Sequence, residues 1–255
     1  MPSWPLSGRK SEMKTWAYAI RNSKEILRDP LNLAFGLGFP LVLILLLTAI
    51  QANIPVAMFE LDQMTPGIAV FGLSFISLFS SVLIAKDRSS SFMLRMFSSP
   101  MTSKDFIVGY TLPLVPMSVV QVGVCFLTAM ALGLMPTWNI LLCILVCVPT
   151  MIFFIAIGLL CGSIFTDKQV GGICGALLTN LTGWLSGTWF DIDLVGKGFK
   201  LVAEALPFVH AVDAGRAALA GDYGSIFPDL WWVIGYAVVT MFFAIVAFKR
   251  KMQSD

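Results

Sequence analysis

Six stretches of this chain carry no charged side chain and are long enough to cross a bilayer: 31–50, 66–85, 106–135, 138–166, 169–190 and 230–248. A helix needs roughly 20 apolar residues to traverse about 30 Å of hydrocarbon. Lipid offers the backbone no hydrogen-bond partner, and these runs lack the alternation of a barrel strand, so each is expected to be a helix. Charged residues make up only 13% of the 255, about half the share found in a soluble domain. The expectation is an all-α membrane protein, one transmembrane domain over residues 1–255. The third and fourth runs nearly join, but MPTWN at 135–139 supplies a proline, an asparagine and an interfacial tryptophan, and divides them.

Lysine and arginine set the orientation. With six spans the termini share a side, and that side holds fourteen of the seventeen basic residues; Lys197, Lys200 and Arg216 lie opposite. Both termini are therefore expected in the cytoplasm. About thirty mixed polar residues precede the first run and no small-residue cleavage site follows it, so no signal peptide is expected.

Two segments outside the spans read as amphipathic helices. Over 11–28, Met13, Trp16, Ala17, Ile20 and Leu27 share one face while Lys10, Lys14, Arg21, Lys24 and Arg28 follow another. This is the pattern of an interfacial helix with its basic stripe on anionic lipid, ended by Asp29-Pro30. Between spans five and six, residues 191–228 read as an outer helical hairpin: DLVGKGFKLVAEAL up to Pro207, then FVHAVDAGRAAL with His210, Asp213 and Arg216 at steps of three. Such a pair is expected to lie in or dip into the outer leaflet, with this polar cluster at the water boundary or paired internally. Within the spans, Pro113, Pro116 and Pro149 predict kinks. Gly171 with Gly175, and Gly183 with Gly187, have the GxxxG spacing that lets a second helix approach closely.

The chain offers little chemistry. No ionisable residue lies within a span, no catalytic triad or metal motif occurs, and Ser74, Ser77, Ser80 and Ser81 have no base near them in sequence. This argues against catalysis, proton or sodium coupling, and voltage sensing. No GxxxxGK[ST] loop is present, so the chain is not expected to hydrolyse nucleotide by that route, and if it pumps, something else supplies the energy. The five cysteines all fall in apolar runs and read as small packing residues; Cys143 and Cys147 share a helix face, with a metal pair as the alternative.

KDRSSSFMLRMFSSPMTSKD, residues 86–105, is the internal stretch where charge and serine displace the apolar background. Phe92, Met93, Met96 and Phe97 fall on one face of a two-turn helix, with Arg88 and Arg95 off that face, a serine N-cap before it and Ser99-Pro100 after it. Such a face can fill a groove on a soluble partner or rest on the membrane surface.

In their order and spacing, KEILRDPLNLAFGLGFPLVLILLL (24–47), TPGIAVFGLSFISL (65–78), KDRSSSFMLRMFSSPMTSKDFIVGY (86–110) and LSGTWFDIDLVGKGFKLVAEALPFVHAVDAGRAAL (185–219) resemble the ABC transporter permease family, the membrane subunit of type-2 ATP-binding-cassette exporters. Where that family has a glutamate-rich entry to the short helix, this chain has Lys86, Asp87, Arg88 and three serines. The resemblance implies a multi-pass plasma-membrane subunit that assembles with a second permease chain, identical or related, and two ABC ATPase subunits. ATP and Mg would be bound by those ATPases, with no cofactor on this chain and no nucleic-acid partner. It further implies a coupling helix at 89–98 seated in the ATPase, with Arg88, Phe92, Met93, Arg95, Met96 and Phe97 at the contact, smaller contacts from Thr166 to Val170 (with Asp167 and Lys168) and from residues 11–28, and a substrate path lined by Phe71, Phe75, Phe79, Asn180 and Trp184. The uncharged passage favours apolar or amphipathic cargo such as a drug, an antimicrobial peptide or a lipid-like molecule. A non-transporting scaffold or immunity protein, and a secondary transporter, are the competing readings.

Overall fold

The computed structural model describes residues 6–54, 59–90 and 103–254. Residues 91–98 of the expected coupling helix, with Phe92, Met93, Arg95, Met96 and Phe97, lie outside the described residues. Every regular element among the described residues is helical. In chain order these are α1 (Leu6–Leu27), α2 (Pro30–Leu33), a π-helical turn (Ala34–Gly38), α3 (Phe39–Gln51), α4 (Leu61–Ser89), α5 (Ser103–Ala131), α6 (Trp138–Val146) and α7 (Val148–Ile164). There follow α8 (Asp167–Val170), a second π-helical segment (Gly171–Leu178), α9 (Thr179–Leu185), a 3₁₀ turn (Ile192–Leu194), α10 (Lys197–Ala205), α11 (Pro207–Ala220) and α12 (Tyr223–Ser254).

Among the described residues, five helices are long and apolar enough to cross a membrane: Ala34–Gln51, Leu61–Ser89, Asp105–Ala131, Trp138–Ile164 and Tyr223–Lys251. The run expected as the fifth of six spans is instead a composite of α8, the second π segment and α9, and it is not among the five. Asp167, Lys168 and Gln169 at its start, Asn180 near its middle and four glycines dilute its hydropathy.

Proline accounts for two interruptions of regular helix. Pro40 cannot donate a backbone hydrogen bond, and the π turn immediately before it widens the ladder so that Phe39 N–H reaches Ala34 O. The fourth span breaks at Cys147, two residues ahead of Pro149. Pro113 and Pro116 lie inside an unbroken α5, so neither ends the helix.

The core is built around α4, nearly nine-tenths of whose apolar window is buried, against less than a fifth for α12. α7 lies between α4 and α12, while α5, the first span and α11 complete the ring around α4. α7 approaches α4 closely through small residues. A Cβ on Gly158 would fall 2.5 Å from Ser77 O and Ser80 Cβ, and one on Gly162 would fall 2.7 Å from Ser81 O. The glycine pair that seats one helix on another is thus Gly158 and Gly162 of α7.

Of the four glycines expected to do this, Gly175 rests on Leu78 of α4 and Gly183 on Phe71 and Trp189. Gly171 has open space on its Cβ side. Gly187 lies beyond the end of α9 at φ +65°, a left-handed position that requires glycine for a turn instead of for helix packing.

Two amphipathic helices turn their apolar stripes away from the bundle. On α1, Trp16, Ile20 and Leu27 are exposed while Tyr18, Asn22 and Ile26 are buried; on α10, Leu201 and Val202 are exposed while Ala203 is buried. These stripes are unpartnered within the described residues, as expected of helices that lie along a membrane surface. The basic stripe of α1 does not stay intact: Arg21, expected to face lipid with the others, turns inward onto Asp87.

Candidate functional site: polar junctions at the two ends of the bundle

α1, the end of α4, the start of α5 and the end of α12 meet at one end of the bundle, where Tyr18 packs edge-on against Phe106 and Tyr110 and both of these touch Phe248. α4 leaves the core here, and its last turn sends two consecutive side chains to opposite sides. Asp87 is only 4% exposed. A carboxylate is seldom buried without partners. One of its oxygens, Oδ2, accepts from Arg21 Nη1 at 2.7 Å, from the Tyr110 hydroxyl at 2.9 Å and from the Tyr18 hydroxyl at 3.3 Å. Burial, and after it the Asp87 charge, pushes the Tyr18 phenol well above its ordinary range. Burial alone would lower the Arg21 guanidinium, and the hydrogen bond and charge of Asp87 more than reverse that. Both groups therefore keep their protons and present donors to Asp87.

The next residue serves the other side. Arg88 Nη1 donates to Gly162 O at 2.7 Å and Phe165 O at 3.2 Å, capping the C-terminal carbonyls of α7, where a cation also meets the negative end of the helix dipole. Further contacts tie α1 to α5. Asn22 Nδ2 donates to Gly109 O at 3.0 Å, Thr15 Oγ1 to Asp105 at 3.0 Å, and Gly109 leaves room for the Tyr18 ring, which a Cβ there would meet at 2.4 Å. Within one turn of helix, then, α4 is joined to α1 and α5 through Asp87 and to α7 through Arg88. The segment 91–102 follows directly. Asp167 and Lys168 sit nearby in the short α8, exposed, behind a capping box in which Thr166 and Gln169 satisfy each other's backbone groups.

At the opposite end a second junction forms around α11. Arg216 reaches three elements: Nε donates to Gln63 O at the start of α4 (3.0 Å), Nη2 to Gly187 O after α9 (2.8 Å), and Nη1 pairs with Asp213 at 3.3 Å. Burial pushes the Asp213 carboxyl up, with Arg216 opposing it. His210 bonds Asp229 and the Glu204 carbonyl, so the His210, Asp213 and Arg216 cluster is paired, but only Asp213 and Arg216 pair with each other. These groups line a cavity of about 680 Å³ together with Trp189, Phe190 and Asp191. Arg216→Lys keeps the charge but offers one nitrogen where the guanidinium offers three. Thermal unfolding of this variant is expected to show a loss of about 1–2 kcal/mol; an unchanged midpoint would mean that the three contacts carry no net stability.

Of the residues expected to line a substrate path, Phe71 and Phe75 pack edge-on against each other at 5.8 Å between centroids. Phe71 and Phe75 are covered by Phe35 and Phe39 of the first span and by Trp189. Phe79 is buried against Gly36 of the first π turn. Asn180 and Trp184 are exposed on the outside of the bundle, Asn180 donating to Ala176 O at 2.8 Å. Sequence reading missed Tyr18, Asn22, Asp87 and Tyr110 as a site. Their one legible signal was an acidic residue flanked by Lys86 and Arg88 at the end of an apolar run.

The ABC-2 type transporter family model matches residues 13–220, from within α1 to the last residue of α11. The chain belongs to the ABC-2 type transporter family. No curated protein matches it. An ABC-2 membrane domain is a permease type and not an ATPase, so the chain is a multi-pass membrane component of a transporter, and the family implies an ATPase partner. Both polar junctions fall mainly within the matched residues, and the last span, α12, lies beyond them.

Proposed function

We propose that this ABC-2 permease is the transmembrane subunit of an ATP-driven exporter of apolar or amphipathic compounds. It pairs with a second permease chain and works with two ATPase subunits that bind ATP and Mg. The composite helix from Asp167 to Leu185 serves as the sixth crossing, which returns the C-terminus to the side of the N-terminus. The bias of basic residues places that side in the cytoplasm of a plasma-membrane protein. The segment after Ser89, read from the sequence as the coupling helix, docks on the ATPase through Phe92, Met93, Met96 and Phe97, with Asp167 and Lys168 making a smaller contact.

One observation carries this reading. The residues immediately before the proposed coupling helix, Asp87 and Arg88, are bonded to α1, α5 and α7 at once. A displacement of that segment as the ATPases close on ATP is therefore shared among three helices and does not dissipate in a loop. The ATPase need only bind the two packings of the bundle with different free energies to shift their populations. Substrate would run along the exposed face that carries Asn180 and Trp184, and Phe71, Phe75 and Phe79 would be reached when the first span moves off α4.

Phe92→Asp and Phe97→Asp test the docking. Each is expected to abolish copurification of the ATPase, or to lower ATP-driven transport in vesicles at least tenfold, while the permease remains folded. A substituted complex that assembles and transports at the wild-type rate would remove the coupling helix from the proposal. A wild-type complex that assembles and moves nothing would point to the scaffold reading instead.

A further inference from the structure

We infer that His210 and Asp229 share one additional proton and form a pH-released latch at the hairpin end of the bundle. His210 Nε2 lies 2.8 Å from Glu204 O, and a carbonyl oxygen can only accept, so Nε2 carries a hydrogen. Nδ1 lies 2.6 Å from Asp229 Oδ1. Two lone pairs cannot face each other at that distance, so a proton lies between them, on the ring or on the carboxyl. The pair thus holds one proton more than a neutral imidazole beside a carboxylate. The Trp232 ring favours placing it on the imidazole, because it stacks over His210 at 5.4 Å between centroids and 18° between planes, and its π face attracts a cation.

The proton closes a mechanical link. His210 is on α11, the Glu204 carbonyl is at the end of α10, and Asp229 is in the second turn of α12. A second tie, from the Tyr236 hydroxyl of α12 to Ala205 O at 2.6 Å, joins α10 and α12 independently. When the shared proton leaves to hydroxide, the 2.6 Å contact becomes repulsive and α11 comes away from the outer end of α12. The other charged groups around the same cavity are accounted for by pairing. Lys200 bonds Asp193 and approaches the Glu204 carboxylate, Arg216 bonds Asp213, and Asp191 accepts from the Asp193 N–H. His210 and Asp229 are thus the members whose link depends on an exchangeable proton. The orientation proposed above decides only which compartment's pH is sensed, and the latch stands or falls without it.

The chain has a single histidine, so isotope-labelled histidine reports one ring. Nitrogen NMR of the full chain in nanodiscs, at a pH where the 226–236 amides are protected, is expected to show hydrogen on both ring nitrogens. In Asp229→Asn the second ring proton should be lost. The protection of residues 226–236 against hydrogen exchange, taken relative to the base-catalysed intrinsic rate at each pH, should fall at least severalfold on alkalinisation in wild type and stay constant in His210→Gln, which can still donate to one acceptor but cannot titrate. A singly protonated wild-type ring, a doubly protonated ring in Asp229→Asn, or an identical alkaline loss of protection in His210→Gln would each overturn the latch. The wild-type spectrum decides the point even if a variant fails to fold.

Discussion

Asp87→Leu is expected to destabilise the bundle by about 2–3 kcal/mol and to uncouple the ATPase from transport. The stability loss follows from burial: Tyr110 keeps a hydroxyl at 1% residue exposure with its acceptor gone, and the guanidinium of Arg21 loses the carboxylate it points into. Arg21 is a third exposed, so water recovers part of its solvation, and the loss sits below the upper range for breaking a buried ion pair. Asp87→Asn preserves the shape and one acceptor while removing the charge, and should fall between the two. The uncoupling follows from connectivity, since α4 would keep its hold on α7 through Arg88 but lose its hold on α1 and α5. Thermal unfolding and ATP-driven transport of the same preparations check the two effects separately. If Asp87→Leu unfolds like wild type, the three hydrogen bonds are not stabilising; if it transports like wild type, force does not pass through this residue.

Gly162→Leu is expected to have an effect at least as large, and Gly158→Leu a comparable one, both visible as loss of monodisperse protein after extraction. A Cβ at either position meets α4 at a distance no real contact shows, and at each the obstruction includes backbone oxygen, Ser77 O or Ser81 O, which cannot move aside as a side-chain tip can. Overpacking a tight interface costs about 1–3 kcal/mol and more where backbone has to shift. Gly162 also offers the carbonyl that Arg88 caps, so separating α7 from α4 there loosens the second arm of the junction. The control is Gly171→Leu, where a Cβ meets nothing within 4 Å and the described residues predict unchanged yield. Equal behaviour of Gly162→Leu and Gly171→Leu would contradict the packing described for α7.

Those two glycines show why the site was only partly legible. Gly158-x-x-x-Gly162 has the same spacing as Gly171-x-x-x-Gly175, and spacing says that a helix can be approached, not which face is. What distinguishes them is the row of serines on α4 that meets the first pair. Ser77, Ser80 and Ser81 looked inert without a nearby base, and their use is their small size. Arg21 failed for a related reason: a basic residue repeated at helical spacing reads as part of a solvated stripe, and its partner lies 66 residues away. The aromatics Phe71 and Phe75 were legible as one face of α4, but the rings of Phe35 and Phe39 that cover them come from another span.

Sequence alone determined that this chain is an all-helical membrane protein, roughly where five long apolar helices of the described residues lie, and which family it belongs to. It could do so because bilayer thickness, the exclusion of charge from hydrocarbon and proline's missing donor act on local stretches of chain. Tertiary structure decided that 167–185 is a composite helix, that Gly158 and Gly162 of α7 meet the backbone of α4, and that a buried aspartate joins α1, α4 and α5 beside the expected coupling segment. These depend on which faces meet, and in lipid, where apolar surface has no preference between a tail and a neighbouring helix, that choice rests on a few small and polar side chains whose partners are distant in sequence.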